Sequence, residues 1–292
     1  MKKAYMKYFA ALLLFGSNGI VANRIALTSY EIVLLRTMIG SALLIAVFLL
    51  TGQRFTFWKH PQSAVYLLVS GVAMGVSWMF LYEAYQRIGV SLSSLLYYCG
   101  PVVVMVLSPL LFREKLTAPK LIGFGVVVIG VFLLNGHAGN NMDHGGLFLG
   151  GMSAVMYFFM VVCNKKAIAI TGSENSTFQL TVSFLTVAVF VLFRQGLSIH
   201  IPEGCLFWIV FLGLVNTGIG CWFYFSSIGS LRVQTVAICG YLEPLSAVVL
   251  SVVLLGEQMN IAQIIGAILI LGGAALGELL SGKCILCSCP FK

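Results

Sequence analysis

Residues 90–133, VSLSSLLYYCGPVVVMVLSPLLFREKLTAPKLIGFGVVVIGVFL, and residues 233–276, VQTVAICGYLEPLSAVVLSVVLLGEQMNIAQIIGAILILGGAAL, align without a gap. One shift carries Tyr98 onto Tyr241, Pro101 onto Pro244, Val106-Leu107-Ser108 onto Val249-Leu250-Ser251, Glu114 onto Glu257, Ile122-Gly123 onto Ile265-Gly266 and Gly130 onto Gly273. Apolar stretches often resemble one another by chance. Hydrophobicity does not account for shared Pro, Glu and Gly positions, so the chain is read as a duplicated unit.

Outward from these two stretches, the chain is a series of apolar runs. It is 60% hydrophobic and 9% charged, whereas soluble domains carry roughly 25% charged residues. A water-soluble fold is excluded. Charged residues cluster in short islands between runs long enough to cross about 30 Å of hydrocarbon as helices. The runs fall at 6–23, 32–51, 63–84, 91–112, 118–136, 145–164, 176–194, 204–228, 233–255 and 260–281, which predicts an all-α polytopic membrane protein of ten transmembrane helices. Pro61 precedes the third run, Pro119 opens the fifth, and the polar, Gly-rich stretch 137–146 divides the chain in half. The expected organisation is a first five-helix repeat over 1–136, a connecting loop over 137–144, a second five-helix repeat over 145–281 and a cytoplasmic tail over 282–292.

Five is an odd number, so the second unit enters the membrane inverted. The charges agree. With both termini cytoplasmic, the inner side holds Lys2, Lys3, Lys7, Arg54, Lys59, Arg113, Lys115, Lys120, Lys165, Lys166, Arg232, Lys283 and Lys292, and the outer side only Arg24, Arg36, Arg87 and Arg194. This is the Lys/Arg bias that sets membrane orientation, and it also explains the net charge of +8 without nucleic acid. Glu114 lies between Arg113 and Lys115, whereas Glu257 lies between Gly256 and Gln258, as an outer loop permits. Inverted repeats are characteristic of secondary transporters, with the substrate site near the midplane between the halves.

The repeats carry further signs of kinship. Each half ends in a Pro within an apolar helix, a Glu about thirteen residues on and then a Gly-rich helix: Pro101, Glu114, Gly123 and Gly130, then Pro244, Glu257, Gly266 and Gly273. With Phe15-Gly16-Ser17-Asn18, Arg24 and Leu35-Arg36, this pattern resembles the drug/metabolite transporter superfamily, and within it the ten-helix EamA-type exporters. The resemblance covers essentially the whole chain. It implies export of amino acids, other metabolites or drugs across a bacterial inner membrane. Small multidrug transporters of that superfamily place a carboxylate in the first helix. This chain has none there, so their proton-coupled mechanism is not implied.

Glu243 is the most informative single residue, because an ionisable group at mid-membrane depth is expensive and points to function. Its helical face carries Thr235, Cys239, Gly240, Ser246 and Ala247, small or weakly polar residues that predict a cavity and not lipid. A structural partner to Tyr or Arg is the competing account. Pro244 frees a backbone carbonyl beside it and, with Pro101, is a candidate hinge. Ser93 and Tyr97 form the opposite wall, and Gly100 stands where the second half has Glu243, so carboxylate chemistry would be one-sided. Trp78 and Tyr82 in the third helix and Trp222 in the eighth are candidates to hold an apolar or cationic group. Ordinary helix packing is the alternative for each ring. Arg36, Asn18 and Asn216 complete the candidate substrate-binding set, interhelical hydrogen bonding being the alternative for the two asparagines.

No metal or cofactor is expected. The four His residues all fall in loops, and Cys284, Cys287 and Cys289 lack a second Cys or His pair to close a tetrahedral site. An intramembrane enzyme would need a catalytic constellation that the sequence does not contain. The reading is a secondary transporter exporting amino-acid or amine-like metabolites by alternating access. Its partners are a small-molecule substrate, the lipid bilayer and, as a candidate coupling ion, protons; oligomeric state stays open. The alternatives are an importer or exchanger resembling sugar-phosphate carriers, and drug efflux.

Overall fold

The structure is a computed structural model and describes residues 2–113, 117–135, 143–196, 201–255 and 261–282. Lys115, Glu114, His137, His200, Glu257, Lys283, Lys292 and the cysteines at 284, 287 and 289 lie outside these residues. Among the described residues the regular structure is entirely helical. The helices are α1 (Lys2–Gly16), α2 (Asn18–Ala22), α3 (Ser29–Leu50), α4 (Pro61–Tyr97), α5 (Cys99–Phe112), α6 (Ala118–Asn135), α7 (His144–Lys166), α8 (Gly172–Gln195) and α9 (Cys205–Phe211). A π-helical segment, Leu212–Ile219, joins α9 to α10 (Gly220–Ile228), and α11 (Val233–Gly240), α12 (Leu242–Leu255) and α13 (Ile261–Gly282) follow.

Local chemistry explains where several of these begin. α3 opens on a capping box in which the Thr28 side chain accepts from the Glu31 backbone and Glu31 reaches back to Thr28. Pro61 starts α4, where its missing N–H costs nothing. Asp143 caps α7 by accepting from Gly145 N at 2.9 Å.

α4 comprises two arms: the first, Pro61–Ile88, contains the third predicted span, and the second, ending at Tyr97, begins the fourth, which α5 completes. On the first, Ser70 Oγ donates to Met160 O at 2.6 Å and Ser77 Oγ to Ser153 O at 2.8 Å, while Ile88 packs on Gly146. Residue numbers on α7 therefore rise as those on this arm fall. On the second arm and into α5 they rise together, Leu96 against Gly150 and Gly100 against Tyr157. The chain thus reverses direction between the arms, and Ser94 Oγ lies 3.4 Å from Tyr85 OH across the reversal.

Two equivalent interruptions follow from proline. A Pro cannot donate to the carbonyl four residues earlier. The residues four before Pro101 and Pro244 are Tyr97 and Gly240, and these are where α4 and α11 end. The next residue in each half, Tyr98 or Tyr241, adopts the same φ −71°, ψ −4° before a new helix starts. Tyr241 OH then donates to Tyr98 O at 2.7 Å, joining the two breaks.

The repeats meet again where α6 crosses α13. A Cβ on Gly130 would lie 2.7 Å from Gly266 O, and a Cβ on Gly273 would lie 2.6 Å from Gly123 O. Since 123 and 130 align with 266 and 273, this reciprocal contact is that of two inverted halves about a pseudo-two-fold axis. The outward faces of the bundle are apolar, with Leu110 80% and Phe193 86% exposed, while Arg36 is 1% exposed inside. Polar inside and apolar outside is the arrangement expected in hydrocarbon, and Ser29–Leu50, Pro61–Ile88, His144–Lys166, Gly172–Arg194 and Cys205–Ile228 are each long and apolar enough to span it.

Because the atoms facing Gly130 and Gly273 are backbone oxygens, Gly130→Ala and Gly273→Ala should each destabilise the bundle by about 1–3 kcal/mol. Gly125→Ala, which faces open space, should be neutral. Thermal melting of the detergent-purified variants checks this, and equal melting of all three would remove the crossing as a determinant of stability.

Candidate functional site

The site is built around Arg36, about two turns into α3. Its Nε donates to Thr217 Oγ1 at 2.9 Å, and its Nη1 donates to Tyr82 OH. The guanidinium lies 4.4 Å from the centroid of the Trp78 ring, stacked in cation–π contact. Nη2 is buried and has no hydrogen-bond partner. A buried donor left unpaired costs about 1–3 kcal/mol, so an arrangement that fixes every other part of this guanidinium while leaving Nη2 free points to a ligand.

Glu243 lies opposite, in the first turn of α12. The break at Tyr241 places it there, where the free N–H groups of a helix start favour negative charge. Small residues bring α12 against α1: a Cβ on Gly16 would lie 1.9 Å from Ser246 Oγ and 2.9 Å from Glu243 O. Ser246 Oγ also lies 3.2 Å from Leu12 O. Glu243 is partly buried. It interacts electrostatically with Arg36 and with the hydroxyls of Tyr8, Tyr85, Tyr97, Tyr98 and Tyr157. No ion pair or hydrogen bond to its carboxylate occurs among the described residues. Arg36 and Glu243 thus lie within each other's field without forming an ion pair among the described residues.

The predicted residues divide into three groups. Arg36, Trp78 and Tyr82 are in direct contact, and Tyr97 and Glu243 lie within electrostatic reach of Arg36, Tyr97 packing edge-on against Tyr157 at 5.2 Å. Asn216 lies one residue from Thr217 and donates through Nδ2 to Leu14 O, Ser17 Oγ and Asn18 Oδ1 at 2.9, 2.7 and 3.1 Å. These bonds bind the π-helical segment to the interruption between α1 and α2, and they give Asn18 its role as acceptor. Trp222 stands elsewhere. Its ring carries Lys7 Nζ at 4.9 Å and its Nε1 donates to Ser173 Oγ at 3.0 Å. The equivalence of Trp78 and Trp222 survives as two tryptophans each holding a cation, not as two walls of one cavity. Ser93 is fully buried. Glu83 pairs with Arg87 at 3.1 Å, and Arg87 lies 3.9 Å from Asp143, tying the third span to the sixth.

Sequence reasoning passed over Thr217 and Tyr157. Thr217 was within reach, since it follows the candidate Asn216 among the glycines at 213, 218 and 220. The π turn that aims it is not signalled by residue type.

Comparison with known proteins gives the activity class. The model of the EamA-like transporter family matches residues 2–136 and again 144–277. The chain is similar to the uncharacterized transporter YxxF of Bacillus subtilis, 24% identical over 277 residues covering 94% of this chain and 88% of the relative. It is also similar to the uncharacterized inner membrane transporter YicL of Salmonella typhimurium, 23% identical over 287 residues covering 94% and 95%. A solved crystal structure shares the fold with a TM-score of 0.80 at 23% identity, over 96% of this chain and 98% of the other. With a family model matching both halves of a duplicated, inverted helical bundle, the chain belongs to the EamA-like transporter family, a family of membrane transporters.

Proposed function

We propose that this transporter exports small metabolites of the amino-acid or amine class across the bacterial inner membrane by alternating access, as a carrier and not an enzyme. The observation that carries the reading is a buried Arg36 held by Trp78 and Tyr82 with Nη2 unbonded, together with Glu243, which lies within the field of Arg36 but makes no ion pair with it among the described residues. A substrate ammonium meets Glu243, and an aromatic or apolar body meets the rings. The two halves, 1–136 and 145–281 with 137–144 between them, would rock about this site. Pro101 and Pro244 would supply the hinges at the helix breaks. The Lys/Arg bias supports cytoplasmic termini. Protons remain the candidate coupling ion, with Glu243 alternately taking a proton or the substrate ammonium.

The competing readings fit the charges less well. A phosphorylated substrate of an importer or exchanger would bring a multiply negative group to Arg36 within the field of Glu243. A cationic drug would sit at Glu243 within the field of Arg36, as would a simple amine, which ranks amines behind amino acids within the proposed class. Each leaves one like-charge interaction uncompensated.

Cells preloaded with labelled amino acids, amines and nucleosides should lose one class of compound faster when the chain is expressed. Uptake in place of efflux would overturn the export direction. Glu243→Gln, which keeps shape and removes charge, should slow efflux roughly tenfold or more with membrane insertion intact, the expected scale for deleting a buried charge partner. Unchanged efflux and unchanged pH dependence would eliminate the carboxylate's role. Trp78→Leu should raise KM more than it lowers kcat, since a ring that binds ground state and transition state alike acts uniformly.

A further inference from the structure

The π-helical segment Leu212–Ile219 places the Thr217 hydroxyl in an unusual geometry. In an α-helix a Thr hydroxyl donates back to the carbonyl three or four residues earlier. Here Thr217 Oγ1 donates to Leu212 O at 2.9 Å, five residues back, because the wide turn inserts an extra residue. With its proton committed to Leu212, the hydroxyl presents only lone pairs to α3, and it is there that Arg36 Nε donates. Close approach of the two helices allows this: a Cβ on Gly40 would lie 3.0 Å from the Thr217 methyl and 3.2 Å from Gly213 O. Thr217 is completely buried.

The guanidinium is planar and its donors are fixed in one fork. Thr217 at Nε, Tyr82 at Nη1 and the Trp78 face together set its plane and rotation, which leaves Nη2 as the single undirected nitrogen. An Nη2 held in that way suits a carboxylate oxygen. We infer that Thr217 is a positioning residue that aims Arg36 at a carboxylate of the transported molecule, so that the site takes zwitterions carrying both carboxylate and ammonium and discriminates against the corresponding amines. This rests on the amino-acid or amine reading above and selects between its two members. Thr217 acts through Arg36 and does not itself touch substrate.

The test is equilibrium binding by titration calorimetry to the full chain in lipid nanodiscs, using the twenty proteinogenic amino acids and their decarboxylated amines. Wild type should bind at least one amino acid more tightly than its amine. Thr217→Val, which keeps volume and removes the hydroxyl, should weaken that amino acid roughly tenfold, the scale of one hydrogen bond to a charged group. It should leave the amine's Kd unchanged, and Thr217→Ser should restore the amino acid. Equal affinity of Thr217→Val and wild type for the amino acid overturns the inference, as does parallel loss of amino acid and amine, which marks a purely structural residue. If Thr217→Val does not yield folded protein, Thr217→Cys is judged by the same criterion. Wild type that binds amines but no amino acid overturns this inference alone; wild type that binds neither removes the underlying reading as well.

Discussion

A guanidinium without water around it has to be met by protein, and in this bundle that requirement falls on Arg36. Its cation is completely buried, and the groups that meet it come from the first arm of α4 and the π-helical segment. Removing a charge from water is costly unless hydrogen bonds and opposing charge compensate. The compensation here is partial: two nitrogens bonded, one face stacked, one nitrogen free and no ion pair to a carboxylate among the described residues. The π turn, the small residues at Gly40 and Gly213, and the approach of α3 to the second half all follow from positioning that one side chain.

Proline supplies the second constraint, and it acts twice. Pro101 and Pro244 interrupt their helices at equivalent points, but the consequences differ between the halves. In the second half the new helix starts with Glu243 in its first turn. In the first half the equivalent position is Gly100, and the ring of Tyr157 fills the space a side chain would take, 2.8 Å from where a Cβ would stand. One fold repeated in inverted form therefore yields one carboxylate, not two. The asymmetry of the site has a packing cause on the side that lacks the charge.

The same divergence governs the tryptophans. Trp78 and Trp222 occupy equivalent positions, yet Trp78 holds Arg36 from α3 and Trp222 holds Lys7 from α1. Lys7 also donates to Ser226 at 3.3 Å, and Tyr8, the next residue, donates to Val236 O at 2.7 Å. The start of α1 is thereby fastened to α10 and α11 of the other half. Contacts between the inverted halves are thus polar at this end of the bundle, while at the α6–α13 crossing they are backbone against glycine.

Much of this architecture was legible in residue order alone. The all-helical membrane class, the duplication and the interruption near Pro101 and Pro244 follow from apolar run length, from repeated Pro, Glu and Gly positions and from the missing N–H of proline, each a local or one-dimensional property. Glu243 and Arg36 stood out because charge inside hydrocarbon needs a reason. What tertiary structure alone decided is which equivalent residues share a site: that Trp78 joins Arg36 while Trp222 joins Lys7, that the α4 arms fold back on one face of α7, and that Thr217 points at Arg36 from a π turn. Those outcomes depend on interhelical distances set by where glycines permit close approach and where a ring such as Tyr157 fills the gap, and such distances are properties of packed pairs, which no single helix sequence encodes.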